Sequence, residues 1–143
     1  MAYWLFQANP KYHRIFEAIR DLDAMPWLVT RYRQQMQPGD GVLVWVAGEQ
    51  AGVYGIATIT TLPEILAPAE IADLDYWTDP SRIRTTKART NIQFFRKLLG
   101  QPLRKHELRF DQTLRNLEVI HTPSRTNFKI TPEQWQRVHQ LKG

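Results

Sequence analysis

A continuous apolar run from Val42 to Val46 predicts a β-strand buried on both faces, because it is too short for a buried helix and is bounded by turn residues. A second apolar stretch, Gly52 to Ile59, follows a tight glycine-containing connection, so the two stretches are expected to form a hairpin. Glycine inside a strand often marks a bulge, a barrel corner or the close approach of another group to the backbone. We therefore expect this hairpin to cross the middle of a small barrel, with Trp45 as a wall for a planar ligand.

Before the hairpin, the pattern predicts a strand, a helix and a second β-rich segment. Tyr3 to Phe6 is the strand, and Asn9-Pro10 has the form of a helix N-cap followed by proline at the first helical position. His13 is interpreted as a surface residue, and Met25 to Tyr32 is the β-rich segment. The helix is expected to bury one apolar stripe at spacings of three and four, formed by Tyr12, Ile15, Phe16, Ile19 and Leu22.

After the hairpin, residues 62–80 form an acidic, proline-containing connection that we interpret as irregular structure. Ser81 to Phe95 has the alternation of a strand, and Leu114 to Ile120 fits either a short strand or a helical turn. Thr131 and Gln134 form a capping box around Pro132, which predicts a terminal helix that ends near Leu141.

The net charge of +5 conceals a strong asymmetry between the two parts of the chain. Residues 1–81 carry 5 Lys and Arg against 10 Asp and Glu, whereas residues 82–143 carry 14 against 4, so the net charges are −5 and +10. A one-sided basic surface is typical of a protein that binds a polyanion, although basic residues can also serve only to keep a surface solvated. Arg82 with Arg84, and Lys87 with Arg89, share faces of the predicted strand and are the candidate phosphate contacts.

A length of 143 residues fits one domain, residues 1–143, and the chain contains no Cys. Thiol chemistry, cysteine-based metal sites and disulfides are therefore excluded, and no pattern calls for a cofactor or a metal. The histidines and serines lie outside the spacings of catalytic or metal-binding motifs. The N-terminus has neither a basic region nor a long apolar region, so we expect a cytoplasmic protein with no membrane partner.

Four separated motifs, in order along almost the whole chain, resemble the EVE domain, a member of the PUA-like superfamily that is related to YTH-type readers of modified bases. They are YWLFQANPKY at the start, WLVTRY around Trp27, PGDGVLVWVAGEQAGVYGIA in the middle and TNFKITPEQW near the end. The resemblance implies an α+β fold, a small curved β-barrel of about five to six strands with flanking α-helices. It also implies a non-catalytic domain that binds a modified base of DNA or RNA in an aromatic pocket.

Carried over by position, the resemblance implies a base-binding pocket formed by Asn9, Trp27, Trp45, Ala47, Gly48, Asn127 and Phe128. Asn127 is the candidate for hydrogen bonding to the base, because an Asn amide can both donate to and accept from a base edge. Many family members have Ser where this chain has Ala47, so a hydroxyl contact to the ligand is missing here.

Two other functions compete with the reading of a modified base. The protein could bind a free nucleotide or another heterocyclic ligand, in which case the basic residues would be incidental. An enzyme that acts on a base is the third alternative, but no residues can be assigned to its chemistry from the sequence.

Overall fold

The computed structural model describes all residues from Met1 to Gly143 as a curled, mixed β-sheet with helices packed against it. The strands are β1 (Tyr3–Ala8), β2 (Ala24–Leu28), β3 (Gly41–Val46), β4 (Gly52–Ile59), β5 (Arg89–Lys97), β6 (Leu103–Arg104) and β7 (Asn127–Lys129). The helices are α1 (Ile15–Asp21), α2 (Lys105–Leu108), α3 (Glu118–His121) and α4 (Pro132–Lys142). Short 3₁₀ turns lie at Arg33–Gln35, Pro68–Glu70, Leu74–Tyr76, Pro80–Arg82 and Leu114–Asn116.

The strand order is β2-β5-β4-β3-β1-β7, and β6 pairs with one end of β4. Strands β1 and β3 run parallel, and all other neighbours are antiparallel. The sheet curls into a half-barrel, which confirms the predicted α+β class and the small curved sheet with flanking helices. The sheet has seven strands and not the expected five to six. The strands β6 and β7 are only two and three residues long, too short for a periodic pattern that would predict them.

The alternation of side chains along the central strands divides the core into two halves. Trp4, Phe6 and Val44 belong to the half that lies inside the curl together with α1. Leu5 and Trp45, one position away, belong to the other half, which is covered by residues of α2, α3 and α4. Successive side chains of a strand point to opposite faces, so β3 is buried on both sides, as its uninterrupted apolar run predicts.

The first helix begins later than the sequence suggests. Asn9 does not cap a helix: its Oδ1 accepts a hydrogen bond from the Lys11 backbone N–H at 3.0 Å, which closes a turn, and α1 starts at Ile15. His13 is buried and not a surface residue. Residues 9–14 therefore form an irregular segment, which is tied to the acidic connection by the Arg14 N–H donating to the Tyr76 carbonyl at 2.7 Å.

The predicted strand from Ser81 to Phe95 is wrong in its first half. Asp79 accepts a hydrogen bond from the Ser81 backbone N–H at 3.0 Å and starts a 3₁₀ turn, and the chain remains irregular up to Lys87–Ala88. Strand β5 begins at Arg89. The sequence alternates as a strand would. However, the Asp79 side chain forms a local hydrogen bond with the backbone, which competes with the hydrogen bonds between strands.

The remaining predictions at the C-terminal end are resolved. The capping box is present, with Thr131 Oγ1 accepting from the Gln134 N–H at 3.1 Å and Gln134 Oε1 accepting from the Thr131 N–H at 2.9 Å. Helix α4 then extends from Pro132 to Lys142, as predicted. Leu114 to Ile120 is helical and not a strand, because a 3₁₀ turn and most of α3 occupy it.

No helix has both the length and the apolar character needed to cross a membrane.

Gly52 is required by the approach of β6 and not by the hairpin turn. A Cβ atom at this position would overlap the carbonyl oxygen of Leu103, which belongs to the backbone of β6 and cannot rotate away. The Gly52→Ala variant is expected to lose about 1–3 kcal/mol of unfolding free energy, the usual range for overpacking.

Urea unfolding of this variant provides the measurement. Gly100→Ala is the matched control, since a Cβ atom there meets nothing within 4 Å, and its effect is expected to stay within about 0.5 kcal/mol. Equal stabilities of the two variants would contradict this explanation.

Candidate functional site

A cavity of about 510 Å³ opens at one end of the half-barrel. Residues at the ends of β1 and β2, the residue after β3 and the first residue of β5 contribute to it, together with residues just before β7. The cavity volume lies within the roughly 300–1,000 Å³ that is usual for small-molecule sites. Its lining residues are Gln7, Ala8, Asn9, Tyr12, His13, Met25, Pro26, Trp27, Leu28, Thr30, Ala47, Asp73, Trp77, Arg82, Arg84, Arg89, Pro123, Ser124, Arg125 and Thr126.

Aromatic side chains line the cavity from three separate segments. Trp27 is on β2 and is almost fully buried, with its ring 6.1 Å from that of Phe6 in the core behind it. Tyr12 precedes α1, and Trp77 follows the 3₁₀ turn of the acidic connection. The guanidinium group of Arg82 lies 4.0 Å from the centre of the Tyr12 ring. This cation–π contact ties the irregular segment after Asp79 to the wall of the cavity.

A buried histidine–carboxylate pair lies beside these aromatic rings. His13 Nε2 is 2.8 Å from Asp73 Oδ2, and both side chains are 5% exposed. The His13 ring stacks on Tyr76 and meets Trp77 edge to face, with ring centres 6.3 Å and 4.9 Å apart. Buried polar groups need partners, so the pair stabilises the contact between segments that are 60 residues apart.

Arg89 places a buried positive charge in the lining. The residue is only 2% exposed, and its Nη1 donates to the Arg84 carbonyl at 2.9 Å. Burial lowers the pKa of its guanidinium group, and the nearby Asp73 carboxylate opposes this effect. The Arg89 side chain forms no salt bridge, so its charge is only partly compensated by protein groups.

The lining also contains polar atoms without partners. Of the eight buried side-chain nitrogen and oxygen atoms that lack a hydrogen bond, five belong to residues of this cavity. They are Gln7 Oε1, His13 Nδ1, Asp73 Oδ1, Trp77 Nε1 and Arg89 Nη2. An unpaired buried polar group costs about 1–3 kcal/mol. Their concentration in one place indicates that a polar ligand or water completes the hydrogen bonding there.

The structure brings some of the predicted pocket residues together. Asn9, Trp27 and Ala47 all line the cavity. Gly48 is next to Ala47 in the turn between β3 and β4 but is not part of the lining. Its φ of 101° lies in the region that favours glycine, so the turn itself explains this residue.

Trp45 and Phe128 lie on the other side of the sheet, which corrects their predicted place in the pocket. Both belong to the core half that α2, α3 and α4 cover, and both are nearly inaccessible. The reason is strand parity: Trp45 points away from the face on which Val44 and Val46 lie.

Asn127 is buried beside the cavity, but its amide is already occupied. Its Oδ1 accepts from the Thr30 backbone N–H at 2.8 Å and from Thr30 Oγ1 at 3.3 Å, and its Nδ2 donates to the Leu28 carbonyl at 3.1 Å. Thr30 and Leu28 line the cavity, whereas Asn127 does not. Because β2 and β7 are the two edges of the sheet, this side chain joins the edges and closes the curl.

The predicted phosphate contacts occupy different environments. Arg82 and Arg84 line the cavity and are exposed, and Arg125 adds a third cation from the segment before β7. Lys87 is exposed in the same loop but does not reach the lining. Arg89 is buried, which corrects its prediction as a surface contact on the basic edge of a strand.

Sequence reasoning missed several lining residues. The sequence pattern predicts Tyr12 on the packing stripe of a helix and His13 on the surface, but α1 starts at Ile15 and His13 is buried. Asp73 and Trp77 lie in a segment with no periodic pattern. The segment before α1 has no pattern that distinguishes Tyr12 or His13 as lining residues, and the pairing of His13 with Asp73 has no signal in the sequence either. No cluster of three or more His, Cys, Asp or Glu side chains that could hold a metal ion is found.

The comparisons with known proteins agree with this architecture. The model of the EVE domain matches residues 2–141, so the chain belongs to the EVE domain family. A comparison with curated proteins finds no match.

Solved structures share the fold at low sequence identity. A protein from Pseudomonas putida is 23% identical, with a TM-score of 0.69 and coverage of 98% of this chain and 99% of that chain. A hypothetical protein from Leishmania major is 18% identical, with a TM-score of 0.71 and coverages of 99% and 94%. Human THYN1, solved in complex with DNA containing 5-methylcytosine, is 15% identical, with a TM-score of 0.70 and coverages of 99% and 97%.

If Asn127 closes the half-barrel, Asn127→Ala should lower the unfolding free energy by about 2–4 kcal/mol, because it leaves the Thr30 N–H and the Leu28 carbonyl without their partner. Asn127→Asp should also destabilise the protein, since a carboxylate cannot donate to the Leu28 carbonyl. Urea unfolding measures both effects.

Asn116→Ala is the control for this prediction. Asn116 is exposed and its Nδ2 donates to the Gln112 carbonyl at 3.3 Å, so its loss should change stability by less than about 0.5 kcal/mol. An Asn127→Ala protein with parental stability but without ligand binding would show that Asn127 reads the ligand instead.

Proposed function

We propose that this protein is a non-catalytic nucleic-acid-binding module that holds one modified base of DNA or RNA, turned out of its stack, in the cavity. The observation that carries this proposal is the combination, in one cavity, of aromatic walls, unpartnered buried polar atoms and a cationic rim. Membership in the EVE domain family supports it. The complex of human THYN1 with 5-methylcytosine-containing DNA supports it further, because that protein shares the fold.

The aromatic lining suits a flat heterocycle. Tyr12, Trp27 and Trp77 come from different segments, so a planar ring can be contacted from more than one side. Stacking of a base on an aromatic side chain is worth about 1–3 kcal/mol and tolerates different bases. The aromatic walls therefore contribute binding affinity for any base, and hydrogen bonds with polar groups of the lining determine which base binds best.

The buried polar atoms match what the edge of a base presents. Asp73 Oδ1 and Gln7 Oε1 are acceptors, whereas Arg89 Nη2 and Trp77 Nε1 are donors. A base carries amino or imino donors next to carbonyl or ring-nitrogen acceptors along one edge. Pairing with such an edge would relieve the unmet hydrogen bonding of the lining, and a ligand without these groups would leave it unmet.

The methyl group of a modified base adds little by itself. Burying one methyl group contributes about 0.8 kcal/mol, which is only about fourfold in affinity. Stronger selection requires that the unmodified base leave a void between the aromatic walls. Ala47 lies in the lining without a hydroxyl group, so Ala47→Ser is the substitution expected to alter the preference among bases.

The cationic rim suits the backbone from which the base is extruded. Arg82, Arg84 and Arg125 line the cavity, and the chain has an excess of positive charge after residue 81. Extruding a base from a duplex costs a few kcal/mol, and phosphate contacts offset part of this cost. Binding should therefore weaken as the salt concentration rises.

The proposal is tested by measuring the affinity of short oligonucleotides that carry one 5-methylcytosine or one unmodified cytosine, each at two salt concentrations. Trp77→Leu should reduce the affinity for the preferred oligonucleotide about 5- to 150-fold, the equivalent of one lost stacking contact. Trp135→Leu is the matched control, because Trp135 is also half-buried but stacks on Tyr3 outside the cavity.

Three results would contradict parts of the proposal. Equal losses in the two tryptophan variants would exclude the cavity as the site. A free nucleoside that binds as tightly as the oligonucleotide, with no dependence on salt, would favour a small-ligand binder. A change in ligand mass after incubation would reveal an enzyme.

A further inference from the structure

A second group of cations lies just outside the cavity, at the seam where the edges of the sheet meet. Arg31 Cζ and Lys129 Nζ lie 5.0 Å and 4.8 Å from the centre of the same Tyr32 ring. The two charges are therefore within about 10 Å of each other, close enough to act on one anion at ordinary salt, where the screening length is also about 10 Å. We call Arg31, Tyr32 and Lys129 the seam cluster.

The protein does not neutralise these two charges. Neither Arg31 nor Lys129 takes part in a salt bridge, and Arg31 Nη1 is buried without a hydrogen-bond partner. The Tyr32 ring packs 5.5 Å from the Trp4 ring, whose Nε1 donates to Asp40 Oδ2 at 3.0 Å. The Asp40 carboxylate is thereby directed to Trp4 and to backbone N–H groups, not to the seam cluster.

The backbone at Tyr32 is unusual. With φ of 61° and ψ of 22°, Tyr32 is the one non-glycine residue of the chain in the left-handed region. Bulky residues rarely adopt this conformation, and such strained positions concentrate at functional sites. The turn places the ring against both cations, so the conformation and the charge arrangement belong to one feature.

The position of the seam cluster relates it directly to the cavity. Arg31 follows Thr30, which lines the cavity, and Lys129 is two residues after Asn127 on the same face of β7. Two residues of a strand span about 7 Å. This distance is comparable to one backbone repeat of an extended nucleic-acid strand, so a strand whose base lies in the cavity can bring a nearby phosphate to the seam cluster.

We propose that the seam cluster is a binding site for a backbone phosphate of the nucleic acid, one or two nucleotides away from the base held in the cavity. This inference rests on the proposed function and extends it, because it adds a phosphate contact from residues that do not line the cavity. Arg31 donates to the phosphate through its planar fork and Lys129 as a point charge. Tyr32 acts as a positioning residue for both.

The test compares two double variants that remove the same charge. Arg31→Gln with Lys129→Gln should weaken binding of a single-stranded oligonucleotide carrying one 5-methylcytosine by roughly tenfold or more. The slope of log K against log salt should become shallower by about 0.7, the value for the loss of one phosphate contact on a single strand. Arg96→Gln with Arg109→Gln is the control: these cations also lie beside aromatic rings, those of Phe95 and Phe110, and neither lines the cavity. It should change neither the affinity by more than about twofold nor the slope, because distant charges are screened.

Two further measurements make the assignment specific. The nucleoside 5-methyl-2′-deoxycytidine, which has no phosphate, should bind the parent and the seam double variant equally. A single uncharged methylphosphonate linkage, moved along the oligonucleotide, should weaken binding to the parent at one or two positions near the modified base. At those positions it should cause no further loss in the seam double variant. Tyr32→Phe, which keeps the ring, should behave as the parent, whereas Tyr32→Leu should lose part of the affinity.

An unchanged salt slope in the seam double variant, with nucleoside binding intact, would overturn this inference and leave the proposed function standing. Failure of the parent to bind either the nucleoside or the oligonucleotide would overturn both.

Discussion

The closure of the half-barrel by the Asn127 side chain is the constraint on which the rest of the structure depends. The strands β2 and β7 are the two edges of the sheet, which has the order β2-β5-β4-β3-β1-β7. The Asn127 side chain joins these edges through hydrogen bonds with Leu28 and Thr30. An amide suits this task because it can donate to one backbone group and accept from another. The cavity exists because the edges are held together at one end, where Trp27 from β2 faces the residues that precede β7.

The parts of the fold that local physics determines could be predicted from the sequence. The β3–β4 hairpin follows from two apolar runs and a glycine turn, and α4 follows from its capping box. Family resemblance predicts Trp27, Ala47 and Trp45 in one pocket, and the cavity lining includes Trp27 and Ala47 but not Trp45. A strand buried on both faces shows no alternation, so its sequence does not reveal which of its residues faces the cavity.

The polar part of the site could not be predicted, for a different physical reason. His13 and Asp73 are partners across 60 residues, and each looks unremarkable in its own segment. Arg89 resembles its basic neighbours Arg84 and Lys87, yet it alone is buried, because β5 begins at this residue. Burial converts an ordinary cation into one that needs polar partners, and burial of this kind is a property of the assembled fold.

The seam that Asn127 closes also has a consequence for the order of folding. Its hydrogen bonds join residues 97 and 99 positions apart, whereas the β3–β4 hairpin forms between neighbouring segments. Closing a long loop costs more chain entropy than closing a short one, so contacts of this kind tend to form after local ones. A chain that has formed its central strands but not its seam already displays most of its positive charge and has no cavity. The cavity is therefore completed only when these long-range contacts form, after the hairpin at the centre of the sheet.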